Sequence, residues 1–173
     1  MPSDETPSLL ALEYEQLKEE QRLRIGTRDN LVYATIGALA LIVGAVIQSG
    51  STVFLLLAPP VCVTLGWTYL ANDDRITAIG VYVGNVLGPE LSRLSSAETE
   101  LFAWERRHRE SGGRPLRKAC QLLVDLLLFC GTAVAALVTT WCGPGVSPPL
   151  HLTMAVELAV VGALAARFIT LVR

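Results

Sequence analysis

An all-α, polytopic membrane protein is what this sequence predicts: four transmembrane helices as two hairpins, with cytoplasmic helices before and between them. Between Asp29 and Asp73 lie 43 positions without a charged residue. Between Lys118 and Arg173 lie 54 positions with three charges, Asp125, Glu157 and Arg167. Each block is too long for one bilayer crossing of about 20 residues and long enough for two. Each also breaks near its middle, at residues 48–52 and 143–149, where Gly, Pro and Ser cluster and a connection is expected. Overall, 51% of the 173 residues are hydrophobic and 17% charged, against about 25% charged in an ordinary soluble domain. Mean hydropathy is +0.46.

This balance excludes a disordered chain, a nucleic-acid binder and a secreted disulfide scaffold, and it argues against a soluble enzyme. The apolar runs show no alternation, and strands in lipid must close into a barrel to satisfy their backbone, so helices are predicted.

The chain divides into four parts. Residues 1–29 form a cytoplasmic N-terminal amphipathic helix, with Leu10, Tyr14, Leu17 and Gln21 at heptad-like steps among charged neighbours. Gly26 is expected to end it. Two heptads fit either packing on a neighbour or a seam between protomers. Seven acidic groups precede Asn30, so no cleavable signal peptide is expected and the first span serves as its own anchor. Residues 30–71 form transmembrane hairpin 1, with runs at 31–47 and 53–71. The first is short, about 26 Å by helical rise, placing Asn30 and Gln48 at the interfaces. Pro59-Pro60 is expected to kink the second.

Residues 72–118 form a cytoplasmic helical segment. Ile76, Ile79, Val83 and Val86 make one apolar stripe, stopped by Gly88-Pro89. A further helix is expected from Ser95 or Ser96, where Ser95 and Glu98 fit a capping box. It carries Leu101, Phe102 and Trp104 and ends at Gly112-Gly113. His108 sits in a charge run that reads as a solvated face. Arg106, Arg107, Arg109, Arg114, Arg117 and Lys118 crowd the start of the next span, where basic residues set topology and attract anionic lipid. Residues 119–173 form transmembrane hairpin 2, with runs at 119–142 and 150–172. Of the 14 Lys and Arg, 13 lie in the N-terminal part, the central segment or at the C-terminus. The positive-inside rule therefore places both termini and the central segment in the cytoplasm of a plasma-membrane protein.

The intramembrane polar candidates are Asp125, Glu157 and Arg167, because a charge within a span is costly and normally pairs or lines a pathway. If the second hairpin turns near Val146, Asp125 and Arg167 lie level, roughly 9 Å inside the cytoplasmic boundary. An Asp125–Arg167 ion pair is expected, with separate snorkelling of each charge as the alternative. Glu157 has no level charged partner, and Thr132 and Thr139 lie within about a turn of it. It reads as polar glue, or as an acidic ring in an oligomer. Small residues four apart recur at Ala40 and Gly44, Gly131 and Ala135, and Ala155, Ala159 and Ala163, a spacing that suits close helix packing. Cys62, Cys120, Cys130 and Cys142 form no ligand pattern and read as packing residues. No catalytic, cofactor-binding or metal-binding constellation is visible, so no cofactor is expected and an enzyme is disfavoured.

Three phrases carry a resemblance: residues 24–31 (Arg24-Ile-Gly-Thr-Arg-Asp-Asn-Leu31), Asn72-Asp-Asp-Arg-Ile76 with Ile79-Gly80, and Trp104-Glu105 with His108. Over nearly its whole length the chain resembles a family of small four-helix integral membrane proteins from actinobacteria and other bacteria. The resemblance implies the four-span topology and no activity. Membrane effectors of anti-phage systems share this general build, an analogy of architecture alone. Two functions are carried forward. One is a membrane scaffold or effector, possible as a homo-oligomer, whose partners are the lipid bilayer and a cytoplasmic protein, with no nucleic acid. The other is a small ion channel or transporter using Glu157 and the Asp125–Arg167 pair.

Overall fold

The structure, a computed structural model, describes residues 5–94, 114–143 and 148–172. Helix α1 spans Glu5–Ser49. A 3-10 turn at Thr52–Leu57 leads into α2, Ala58–Tyr82, which passes through a π-turn at Val83–Leu87 into α3, Gly88–Leu94. Helix α4, Arg114–Asp125, passes through a second π-turn at Leu126–Gly131 into α5, Thr132–Trp141. Helix α6 spans Pro148–Val172. Among the described residues there is no strand. Four stretches are long and apolar enough to cross a bilayer: Ser8–Ser49, Thr52–Leu94, Lys118–Trp141 and Pro148–Leu171.

Several expected breaks are absent. Helix α1 runs straight through Gly26. A glycine in a helix interior costs only about 1 kcal/mol relative to alanine, and the Glu20–Arg24 and Arg28–Asp73 pairs hold the backbone on either side of it. The connection after α1 shrinks to Gly50 and Ser51. Gly50 has φ of 68° and its amide bonds the Val46 carbonyl at 2.9 Å, the left-handed helix stop that glycine adopts without steric cost. Pro59 and Pro60 do not kink the middle of a helix. They occupy the first turn of α2, directly after the 3-10 turn at Thr52–Leu57, where the helix geometry already changes.

The helix of the second apolar run continues past residue 71 into the polar segment, and Gly88-Pro89 does not stop it. In the π-turn the amide of Gly88 bonds the carbonyl of Val83, five residues back. The wider turn keeps the ring of Pro89 off the carbonyl it would otherwise strike. It also shifts the helix phase. Leu87 is 1% exposed and Val86 54%, so Leu87 takes the buried place expected of Val86. The helix expected from Ser95, with Leu101, Phe102, Trp104 and His108, lies outside the described residues. So do the side chains of Arg106, Arg107, Arg109, Arg114 and Arg117, and residues 144–147 of the second connection.

Two compact units result: residues 1–28 with 72–114, and residues 29–71 with 115–173. In the first unit, α1 and the charged end of α2 run antiparallel along a ladder of polar contacts. Tyr82 donates to Glu13 at 2.8 Å, and Gln21 donates to the Ile76 carbonyl at 3.4 Å. Arg24 donates to Asn72 at 3.3 Å, and Arg28 pairs with Asp73 at 2.9 Å. The half-buried stripe of Leu10, Tyr14, Leu17 and Gln21 thus has its neighbour within the same chain. The bond to Glu13 raises the Tyr82 hydroxyl above the ordinary tyrosine range, because ionising it would break that bond.

In the second unit, α2 runs antiparallel to α4 and α5: Tyr69 meets Asp125, Cys62 meets Thr132, and the Thr52 carbonyl meets Thr140. An aromatic trio fills its core. Phe129 and Phe168 stack with centroids 5.9 Å apart, and Tyr69 lies 5.3 Å from Phe129; such pairs add about 0.5–1.5 kcal/mol each beyond their buried area. Gly66 permits this approach, since a Cβ there would lie 3.0 Å from Leu164 Cδ2 and 3.1 Å from Phe129 Cγ. The predicted rows of small residues point elsewhere. Ala40, Gly44, Ala155, Ala159 and Ala163 are exposed, while the buried small residues include Ala58, Gly66, Ala133 and Ala136.

Candidate functional site

Asp125 ends α4 directly before a π-turn, and it is only 7% exposed. A buried carboxylate needs donors. Two are supplied. Gln121, one turn earlier on the same helix, gives its amide to Oδ1 at 2.9 Å, and Tyr69 of α2 gives its hydroxyl to Oδ2 at 3.3 Å. The Gln121 amide also lies 3.2 Å from the Tyr69 oxygen, closing a three-residue cluster. The i, i+4 spacing of Gln121 and Asp125 was visible in the sequence. Tyr69 was not, since nothing local ties it to a residue 56 positions away.

Arg167 does not pair with Asp125. Its guanidinium carbon lies 5.9 Å from the centre of the Trp67 ring, and the pair is absent from the ion pairs among the described residues. Both groups nonetheless meet α2 within two residues of each other, at Trp67 and Tyr69. The level matches the expectation and the direction does not. Positions 67 and 69 lie on nearly opposite faces of a helix with 3.6 residues per turn, so Asp125 and Arg167 approach α2 from different flanks. Tyr69 is buried and Trp67 exposed, in keeping with those two flanks.

Glu157 lies on the stripe of α6 that carries Val161, Leu164 and Phe168, all buried. Its Oε2 is the one buried side-chain oxygen among the described residues without a hydrogen-bond partner. The hydroxyls expected near it are engaged elsewhere. Thr132 donates to the Leu128 carbonyl and Thr139 to the Ala135 carbonyl, each back-bonding within its own helix. Thr132 also contacts the Cys62 sulfur. Cys62 and Cys130 are buried packing residues, whereas Cys120 and Cys142 are exposed. Among the described residues no three His, Cys, Asp or Glu side chains gather closely enough to hold a metal ion. Asp125, Arg167 and Glu157 therefore occupy three separate settings: a satisfied cluster, an exposed cation–π contact and an unsatisfied interior position. Compared with protein-family profiles, with curated proteins and with solved structures, the chain matches none.

Proposed function

We propose that this chain is a multi-pass plasma-membrane protein, acting as a membrane-embedded scaffold or effector that self-associates and engages a cytoplasmic protein partner. The four apolar stretches cross the bilayer as two hairpins, with both termini and the first unit on the cytoplasmic side, following the distribution of Lys and Arg. The observation that carries this reading is the first unit itself. Its helices are joined by their own polar ladder, which leaves Leu9, Leu12 and Leu23 exposed on a charged helix. Apolar residues unused by the pair are available to another protein. The exposed small rows of α1 and α6 support close contact between copies within the membrane. No catalytic group or cofactor enters this reading.

A second reading, a small channel or transporter, is favoured by the unpartnered Oε2 of Glu157, since an unsatisfied intramembrane acid commonly marks an ion pathway. One experiment separates them. The full chain is expressed with a potential-sensitive dye, and the purified chain is studied in planar bilayers. A scaffold or effector does not conduct alone, and a Leu9→Glu, Leu12→Glu, Leu23→Glu variant loses its cellular effect while staying in the membrane. A channel conducts cations unaided, with conductance falling as acid neutralises Glu157, and Glu157→Gln removes both selectivity and pH response. Conduction by the purified chain overturns the first reading. Its absence, with the cellular effect intact, overturns the second.

A further inference from the structure

We propose that Arg167 and Trp67 form a binding site for the phosphate of a membrane phospholipid, preferring an anionic headgroup to a zwitterionic one. The proposal rests on the membrane reading above. It begins from depth. Trp67 lies five residues before Asn72, the first strongly polar position after the apolar run. Five residues of helical rise is about 7.5 Å. Phe168 stacks on Phe129 and approaches Tyr69 with ring centres 6.2 Å apart, so this part of α6 is level with residues 67–69 of α2. A cation this far inside an apolar layer is costly unless oxygen acceptors reach it.

The protein leaves that need unmet. The Trp67 ring lies within cation–π reach of the guanidinium and attracts its charge, but an aromatic ring does not satisfy the five N–H groups of the side chain. Among the described residues no carboxylate pairs with Arg167 and no acceptor takes a hydrogen bond from its side chain. The nearest acid in level, Asp125, is bound to Tyr69 and Gln121 on the other flank of α2. Both Arg167 and Trp67 are exposed on the surface of the second unit, Trp67 by 53%. Under the membrane reading this is the surface that lipid covers.

A phosphodiester supplies the missing group. Its two free oxygens match the edge of a guanidinium bidentately. The indole N–H of Trp67, without a partner among the described residues, is a further donor at the same place. A zwitterionic headgroup carries an ammonium that competes with Arg167 for the phosphate, whereas an anionic headgroup does not.

The test uses the full chain, purified in mild detergent and mixed with phosphatidylglycerol, phosphatidylcholine or inorganic phosphate, with retained ligand counted by native mass spectrometry. The parent should retain phosphatidylglycerol over phosphatidylcholine and no inorganic phosphate. Arg167→Gln should weaken that retention about tenfold or more, Trp67→Leu severalfold, and Arg167→Lys to an intermediate degree. Arg22→Gln, which removes an exposed cation of the first unit, should leave it unchanged. Retention unaffected by Arg167→Gln and Trp67→Leu overturns the site, as does an equal loss in Arg22→Gln, which would mean general charge attraction. Inorganic phosphate retained as well as lipid overturns the lipid assignment. Alkaline carbonate washing of membranes is read in parallel. A chain that washes off defeats the membrane reading together with the site, whereas a chain that stays while the variants bind normally defeats the site alone.

Discussion

Asp125 has donors on both carboxylate oxygens, Gln121 on one and Tyr69 on the other, and Arg167 has an aromatic ring in place of an acid. These partnerships predict where energetic coupling lies. Tyr69→Phe and Asp125→Asn, measured singly and together by denaturant unfolding in micelles, should couple by about 0.6–1.7 kcal/mol, the range of interhelical hydrogen bonds in membranes. Asp125→Asn with Arg167→Gln should add within about 0.5 kcal/mol, as independent sites do. Strong coupling in the second cycle and none in the first would restore the ion pair. Gly66 supplies a sharper test of packing. A Cβ added there would lie 3.0 Å from Leu164 Cδ2 and 3.2 Å from the Cβ of Phe129. The Leu164 methyl can turn aside, but the Phe129 Cβ is fixed to its backbone. Gly66→Ala should therefore destabilise, with overpacking costs of about 1–3 kcal/mol exceeding the gain of about 1 kcal/mol in helix propensity. Higher stability of this variant in the same unfolding assay would show that the core yields there.

Gly26 is the opposite case, and it concerns a whole helix. A Cβ at Gly26 meets nothing within 4 Å, in a helix running unbroken from Glu5 to Ser49. Gly26→Ala should stabilise α1 by about 0.5–1 kcal/mol, seen as slower amide hydrogen exchange in residues 20–32. Unchanged or faster exchange would mean that the glycine serves as a hinge. The two π-turns work in the other direction. Each admits one extra residue into a helical turn, at Val83–Leu87 and Leu126–Gly131, and each lies where buried residues follow one another: Leu87 and Gly88, then Phe129 and Cys130. A π-turn changes which face a residue occupies without interrupting the helix. Sequence periodicity read at 3.6 residues per turn therefore names Val86 where the fold buries Leu87.

For the molecule as a whole, orientation in the membrane is the most direct consequence of the charge distribution. In a cysteine-free background, Ser49→Cys should react with an impermeant thiol reagent applied to intact cells, and Thr77→Cys should react only after permeabilisation. Both positions are exposed, so silence at either reflects sidedness and not burial. Reaction of Thr77→Cys in intact cells would overturn the orientation and, with it, the cytoplasmic placement of the first unit.

The helical class and the four long apolar helices were readable from residue order alone. A block of 43 uncharged positions has no polar face to offer water, and a lone chain segment in lipid satisfies its backbone only as a helix. The common level of Asp125 and Arg167 was readable too, because helical rise per residue is nearly constant. Direction around the helix axis was not. It depends on accumulated phase, which the π-turn after Asp125 alters, and on which neighbour stands on each flank. Proline and glycine misled for a related reason: their local costs are about 1–3 kcal/mol, small enough for position within a helix and for contacts across helices to reverse the outcome. Tyr69 beside Asp125, Trp67 beneath Arg167 and the unfilled demand of Glu157 exist only once helices distant in sequence pack together, because each depends on what the facing helix does or does not donate.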